Sequence, residues 1–295
     1  MISFPDVTKA EIRSHYDWAT PFYRLLWGEH IHHGLWQANE NPRAAQHTLV
    51  TTMIQLAGIR PGMEVLDVGC GMGGSARQLA REVGCKVTGV TLSPVQRLWA
   101  TAESRLRGVG SRTQFLCDDA ERVEFPDATF DVVWSVECTE HLFDKPAFFR
   151  RAASWLRPGG KMIICAWLAG DEELSGELAE QVRQVCEGFL CPSLGSSHDY
   201  QRWMQEAGLS RVSYDDWTSR IVRTWEICQQ RVTYTRVRTV AHAIRGMVRF
   251  LDSFETILSA YRSGAMRYGC FVFERSRDPI SGTCLPADEL CAPQR

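Results

Sequence analysis

The sequence predicts an α/β protein: a doubly wound, mostly parallel sheet preceded by N-terminal helices and finished by a helical lid. Three observations predict it. Short apolar runs alternate with helical patterns between residues 64 and 167, the signature of parallel strands joined by crossover helices. The first run, Val65 to Val68, ends in a glycine-rich turn, Gly69-Cys-Gly-Met-Gly-Gly74, and a helical pattern follows from Ser75. That is how a Rossmann-like sheet begins. After Gly170 the alternation stops and helical periodicity takes over.

Residues 6–26 carry an aromatic-rich helical pattern, and a Gly/His/Trp loop runs from Trp27 to Trp36. A second helix over 42–57 is closed by Gly58 and Pro61-Gly62. Strands are expected at Glu64–Val68, Lys86–Val90, Gln114–Cys117, Phe130–Ser135 and Lys161–Trp167. Between them, helices run over residues 75–83, over 94–107 with Pro94 at the first position, and over 146–156, stopped by Pro158-Gly-Gly160. The lid reads as helices over 171–190 and 198–207 and one long helix over 228–260. Val237, Val240, Ile244, Met247, Leu251 and Phe254 share one face of the long helix. Residues 268–274 read as a late strand returning to the sheet, and the tail from Asp278 as loose chain. The expected organisation is a covering segment (1–60), a binding core (61–169), a lid and acceptor region (170–263), a late strand (264–277) and a tail (278–295).

Apolar residues make up 44% of the 295, enough for a sizeable core. With 33 basic and 35 acidic side chains, the charge balance argues against nucleic acid as the main partner. No run approaches the roughly 18 apolar residues of a membrane span. The first residues lack the features of a signal peptide, so the cytoplasm is the expected compartment. Eleven cysteines without a C-x-x-C pair read as reduced thiols, and no metal site is expected. A homo-oligomer is left open.

The glycine turn carries the first functional signal, because glycine lets bare backbone approach a ligand. Gly69, Gly71 and Gly74 fit G-x-G-x-x-G, the dinucleotide spacing. Asp67, Gly69, Gly71 and Gly73 also fit D-x-G-x-G-x-G. A dinucleotide site wants an acid about 20 positions on, at the end of the second strand. Here the chain reads Val87-Thr-Gly-Val-Thr-Leu-Ser-Pro-Val-Gln96, with no carboxylate. Thr91, Ser93 and Gln96 offer hydroxyl and amide partners instead, while Ser93 also suits the cap of the following helix.

Phe115-Leu-Cys-Asp-Asp-Ala120, Pro126 to Ser135 and Leu156-Arg-Pro-Gly-Gly-Lys161 complete an ordered series of motifs. Over residues 60–168 this series resembles class I S-adenosylmethionine methyltransferases. The resemblance implies S-adenosyl-L-methionine as cofactor, its methionine end near the glycine turn. Asp119 would stand on the adenine amino group and the Ala120 amide on its ring. Tyr16-Asp17, Trp27 to Trp36, Thr91 to Gln96, Trp134-Ser-Val-Glu-Cys-Thr-Glu-His141 and Gly264 to Gly269 are similar to tocopherol C-methyltransferases and their relatives. Those relatives methylate carbon, nitrogen or oxygen.

Glu137 and His141 follow the fourth strand, where ligands bind in an open parallel sheet. His141 suits a base near neutrality, and its place matches a base of sugar-methylating relatives. Glu137 suits a proton acceptor or a counter-charge for a cation. Packed structural roles remain open for both. His30, His32 and His33 read as a loop covering the cofactor, with Tyr16 as π-face partner of the sulfonium. His33 and Trp36 are acceptor-site candidates. Arg238, His242, Arg245 and Arg249 form one stripe, either a solvated face or, through Arg245, a clamp for an anionic acceptor.

The expected function is methyl transfer to a lipophilic or aromatic small molecule in specialised metabolism, first of all carbon methylation of a phenolic or prenyl acceptor. The alternatives are nitrogen or oxygen methylation of an alkaloid, sugar or polyketide, or a silent cofactor-binding subunit. A nicotinamide oxidoreductase is disfavoured.

Overall fold

The computed structural model describes residues 1–4, 6–171, 174–234 and 247–277. Labels below number the described elements. The chain opens with β1 (Ile2–Ser3), α1 (Lys9–Leu26) and α2 (Pro42–Ala57). Thr8 and Glu11 form a reciprocal capping box at the start of α1. Asn41, Pro42 and the left-handed Gly58 delimit α2.

The core then alternates: β2 (Glu64–Val68), α3 (Gly74–Gln78), β3 (Lys86–Thr91), α4 (Pro94–Leu106), β4 (Thr113–Cys117), β5 (Phe130–Val136), α5 (Lys145–Trp155) and β6 (Leu156–Ala169). The second half holds α6 (Gly176–Phe189), β7 (Ser193–Leu194), α7 (Ser197–Glu206), β8 (Leu209–Asp216), α8 (Thr218–Ile221), α9 (Arg223–Tyr234), α10 (Met247–Ser263) and β9 (Met266–Arg275).

Seven strands form one sheet in the order β4-β3-β2-β5-β6-β9-β8. The first five are parallel, and β9 runs antiparallel between β6 and β8. Strand order reverses between β2 and β5, so the crevice beyond their carboxyl ends is where a ligand site forms. Central strands are apolar on both faces because helices cover both; Val65, Leu66, Val132 and Val133 are essentially inaccessible to solvent.

The expected α/β architecture and the late strand are present, and the differences are local. The helix expected over 75–83 is one short α-helix that widens into a π-turn over Leu79–Val83. The stretch after Gly170 is not all helical, because β8 pairs along the edge of the sheet through β9. Of the long helix expected over 228–260, the described parts are helical, in α9 and α10. Arg238, His242 and Arg245 fall between them, outside the described residues, as does the tail from Asp278.

Candidate active site

The site begins where β2 stops. Gly69 turns with φ +76°, and a Cβ there would stand 2.2 Å from Cys138 Cβ, so the chain after β5 can press directly on bare backbone. Gly71, with φ +52°, has nothing within 4 Å of where its Cβ would stand and faces an open cavity. Gly73 begins α3 from behind the turn. Asp67 also sits behind the wall. Burial pushes its carboxyl up to about 7 against the pull of the Ala76 amide.

The cavity encloses about 740 Å³ including its open mouth, within the range of about 300–1,000 Å³ for small-molecule sites. Of the residues named as cofactor candidates, Tyr16, Gly69, Gly71, Thr91, Ser93, Gln96, Asp119 and Ala120 line it; Asp67 and Gly73 do not. Ser93 Oγ caps α4 through the Gln96 amide, 3.1 Å, and donates to Asp17 Oδ1, 2.6 Å. The turn that lacks an acid in sequence thus receives one in space, from α1. Thr91 Oγ1 donates to Gln96 Oε1 at 2.8 Å. Lys9 Nζ, also on α1, donates to Asp119 Oδ1 at 2.5 Å and pairs with Glu121. α1 therefore straps the cavity.

A second cavity adjoins the first, and Tyr16, Ile31, Glu137 and His141 line both. Its wall is aromatic, including Tyr23, Trp27, Trp167, Phe189, Trp225 and Phe250. Glu137 stands at the waist with φ +52°, a strained conformation for a residue with a side chain. Three donors hold its carboxylate: the His33 amide at 2.8 Å, Trp167 Nε1 at 3.0 Å and Tyr268 Oη at 2.8 Å. His33 Nδ1 lies 2.9 Å from Oε1, close but off the line of a good hydrogen bond. Burial alone would raise its pKa, but the neighbouring His33 imidazole and the donors outweigh burial and hold it at about 2. Glu137 is a fixed anion.

His141 has both ring nitrogens engaged. Nδ1 lies 3.1 Å from the Leu190 carbonyl, which can only accept, so Nδ1 carries the proton. Nε2 then accepts from Tyr16 Oη at 2.8 Å. Burial lowers the imidazole to about 4 despite the Leu190 carbonyl.

The three clustered histidines diverge. His32 Nε2 lies 3.0 Å from His30 Nδ1, while His33 turns to Glu137 within a ring of Trp167, Trp225, Tyr261 and Tyr268. Among the described residues no group of three potential ligands could hold a metal ion. Trp36 lies outside the second cavity. Its Nε1 donates to Thr224 Oγ1 at 2.9 Å and its ring stacks under Arg223. Glu140, which sequence reasoning passed over, lines the cavity beside Glu137. Its only sequence signal is a second carboxylate three positions on. His15 is a further unforeseen wall residue.

The first cavity suits S-adenosyl-L-methionine: an uncovered glycine cradle, hydroxyl and amide partners, and an acid at Asp119. Residues 5–267 match the family described as mycolic acid cyclopropane synthetase.

The chain belongs to this family.

It is 28% identical over 280 residues to a probable tocopherol O-methyltransferase, chloroplastic, of Oryza sativa subsp. japonica, covering 90% of this chain and 77% of that one. It is 32% identical over 262 residues to the 2-methyl-6-phytyl-1,4-hydroquinone methyltransferase of a Synechocystis strain, covering 83% and 80%. The cyclopropane synthase MmaA2 of Mycobacterium tuberculosis shares the fold, with a TM-score of 0.81 at 18% identity over 92% of this chain and 99% of that one. The chain is an S-adenosylmethionine-dependent methyltransferase, and S-adenosyl-L-methionine is its cofactor. That cofactor supplies a methyl group already activated by sulfonium. No helix among the described residues is long and apolar enough to cross a membrane.

Proposed function

We propose that the chain methylates a lipophilic small molecule, with carbon methylation of a phenolic or prenyl acceptor as its reaction in specialised metabolism. The observation that carries this reading is the waist, where an aromatic cavity and the glycine-turn cavity share Tyr16, Ile31, Glu137 and His141 as a common wall. An aromatic wall desolvates an apolar acceptor and orients it toward the waist. Glu137, held anionic by its donors, faces the positive charge that develops when an electron-rich ring or alkene carbon gains a fourth substituent. The proton that such a carbon sheds passes to His141 Nε2 once Tyr16 Oη releases it. A ring cation is a strong acid, so a weak base at about 4 suffices.

Nitrogen or oxygen methylation is the alternative, since Glu137 would equally hold a cationic amine and one relative is named as an O-methyltransferase. Nine described cysteines are free thiols, consistent with work in the reducing cytoplasm. Glu137→Gln tests the reading. It should lower kcat by about a hundredfold or more while leaving S-adenosylhomocysteine affinity within a few-fold. Unchanged turnover, or equal loss of both, would remove Glu137 from its role.

A further inference from the structure

Lys145, the first residue of α5, is only 1% exposed, yet it lines neither cavity. Its ammonium donates to the Leu142 carbonyl at 2.8 Å, to the Ser193 carbonyl at 3.0 Å and to Ser193 Oγ at 2.7 Å. All three N–H groups are thereby used. Burial lowers the group to about 8, so it is charged near neutrality. A buried ammonium carries a desolvation cost of several kcal/mol, on the order that an apolar side chain of similar length would avoid. The charge therefore asks for a role beyond filling space.

What the ammonium joins defines that role. Leu142 follows His141 directly, and Ser193 lies three positions after Leu190. The bond from His141 Nδ1 to the Leu190 carbonyl, 3.1 Å, joins the same two segments. Leu190 ends α6 with φ +56°, in the left-handed region that residues with a side chain rarely adopt. Rotation of the peptide after it would swing the carbonyl off Nδ1 and break the bond of the Cys191 amide to the Cys186 carbonyl, 2.8 Å. On its other side the segment is tied to the N-terminus, by the Phe4 amide on the Pro192 carbonyl at 2.7 Å and by the pairing of β1 with β7. Lys145 ties it to the turn that carries His141.

We propose that Lys145 is a positioning residue for His141: by clamping Ser193 to Leu142 it keeps the Leu190 carbonyl on Nδ1, and so keeps the lone pair on Nε2 at the waist. The inference rests on the reading of His141 as the base. A carbonyl can only accept, so its presence selects the Nδ1–H tautomer. With the carbonyl displaced, either nitrogen can carry the ring proton, and the Nε2–H form cannot take a proton from an acceptor at the waist.

The test is the nitrogen-15 spectrum of the histidine rings in protein loaded with S-adenosylhomocysteine, with the His141 signals identified by their loss in His141→Gln. The wild type should show the proton on Nδ1. Lys145→Met should show a mixture of tautomers, with S-adenosylhomocysteine affinity within a few-fold of the wild type. Its kcat, for a prenylated phenol that the wild type methylates, should fall about tenfold or more, the lower end of what a general base contributes. A folded Lys145→Met protein that keeps the wild-type tautomer would overturn the proposal, and so would a wild-type proton on Nε2. If Lys145→Met does not fold, Ser193→Ala, which removes one of the three acceptors, should show the same mixing in smaller proportion, and no mixing there would overturn it equally. A wild type that methylates no prenylated phenol would sink the proposed function, while the tautomer result would still decide the clamp.

Discussion

Glu137 and Glu140 lie three positions apart yet are tuned in opposite directions. The first is wrapped by donors and stays charged. The second is buried with one backbone donor and stays neutral to about pH 8. A folded pKa above the unfolded value makes a contribution that is complete below about 4.5 and lost as pH rises through about 8. Asp67 acts in the same sense, and His15 and His141, both lowered to about 4, act in the opposite one. Comparing Glu140→Gln with the wild type isolates the single group. The variant's Tm should gain on the wild type steadily from pH 4.5 to 8 and then level off; a pH-independent difference would show that Glu140 is ionised throughout. No sequence pattern separates these two carboxylates, because the separation is made by tertiary donors from Trp167, Tyr268 and His33. The histidine cluster was similarly opaque: His30 and His32 pair with each other, while His33 turns to Glu137 once the loop is packed.

Among the elements, α1 carries most of the cover over the cofactor cavity. Lys9 reaches Asp119 and Glu121, Tyr16 reaches His141, and Asp17 reaches Ser93. Ser93 serves two elements, capping α4 and anchoring α1. Ser93→Ala should therefore destabilise the protein by about 1 kcal/mol or more in urea titration, the cap alone accounting for about that much. No loss would mean that neither contact contributes. The central strands β2 and β5 were legible because helices bury both of their faces, which forces nearly continuous apolar runs. β8 was not. It is an edge strand, with Arg211, Asp215 and Asp216 in Leu209–Asp216. Its place is set by pairing to β9 rather than by its own pattern.

In the whole molecule, the mostly parallel sheet, the α1 strap and the helices α6, α9 and α10 border two cavities that share four residues. The cofactor side was readable because glycine spacing and a carboxylate-free turn are local features. The acceptor side was not, because its wall gathers residues from α1, the histidine loop, β6, α6, α9 and α10. The central claim is that methyl transfer crosses the shared waist to a lipophilic acceptor. Incubation with methyl-labelled S-adenosylmethionine and a panel of prenylated phenols tests it most directly. The account predicts label in the organic product, one S-adenosylhomocysteine released per methyl transferred, and the new methyl on a ring carbon. Tight cofactor binding with no label in any lipophilic acceptor would contradict it.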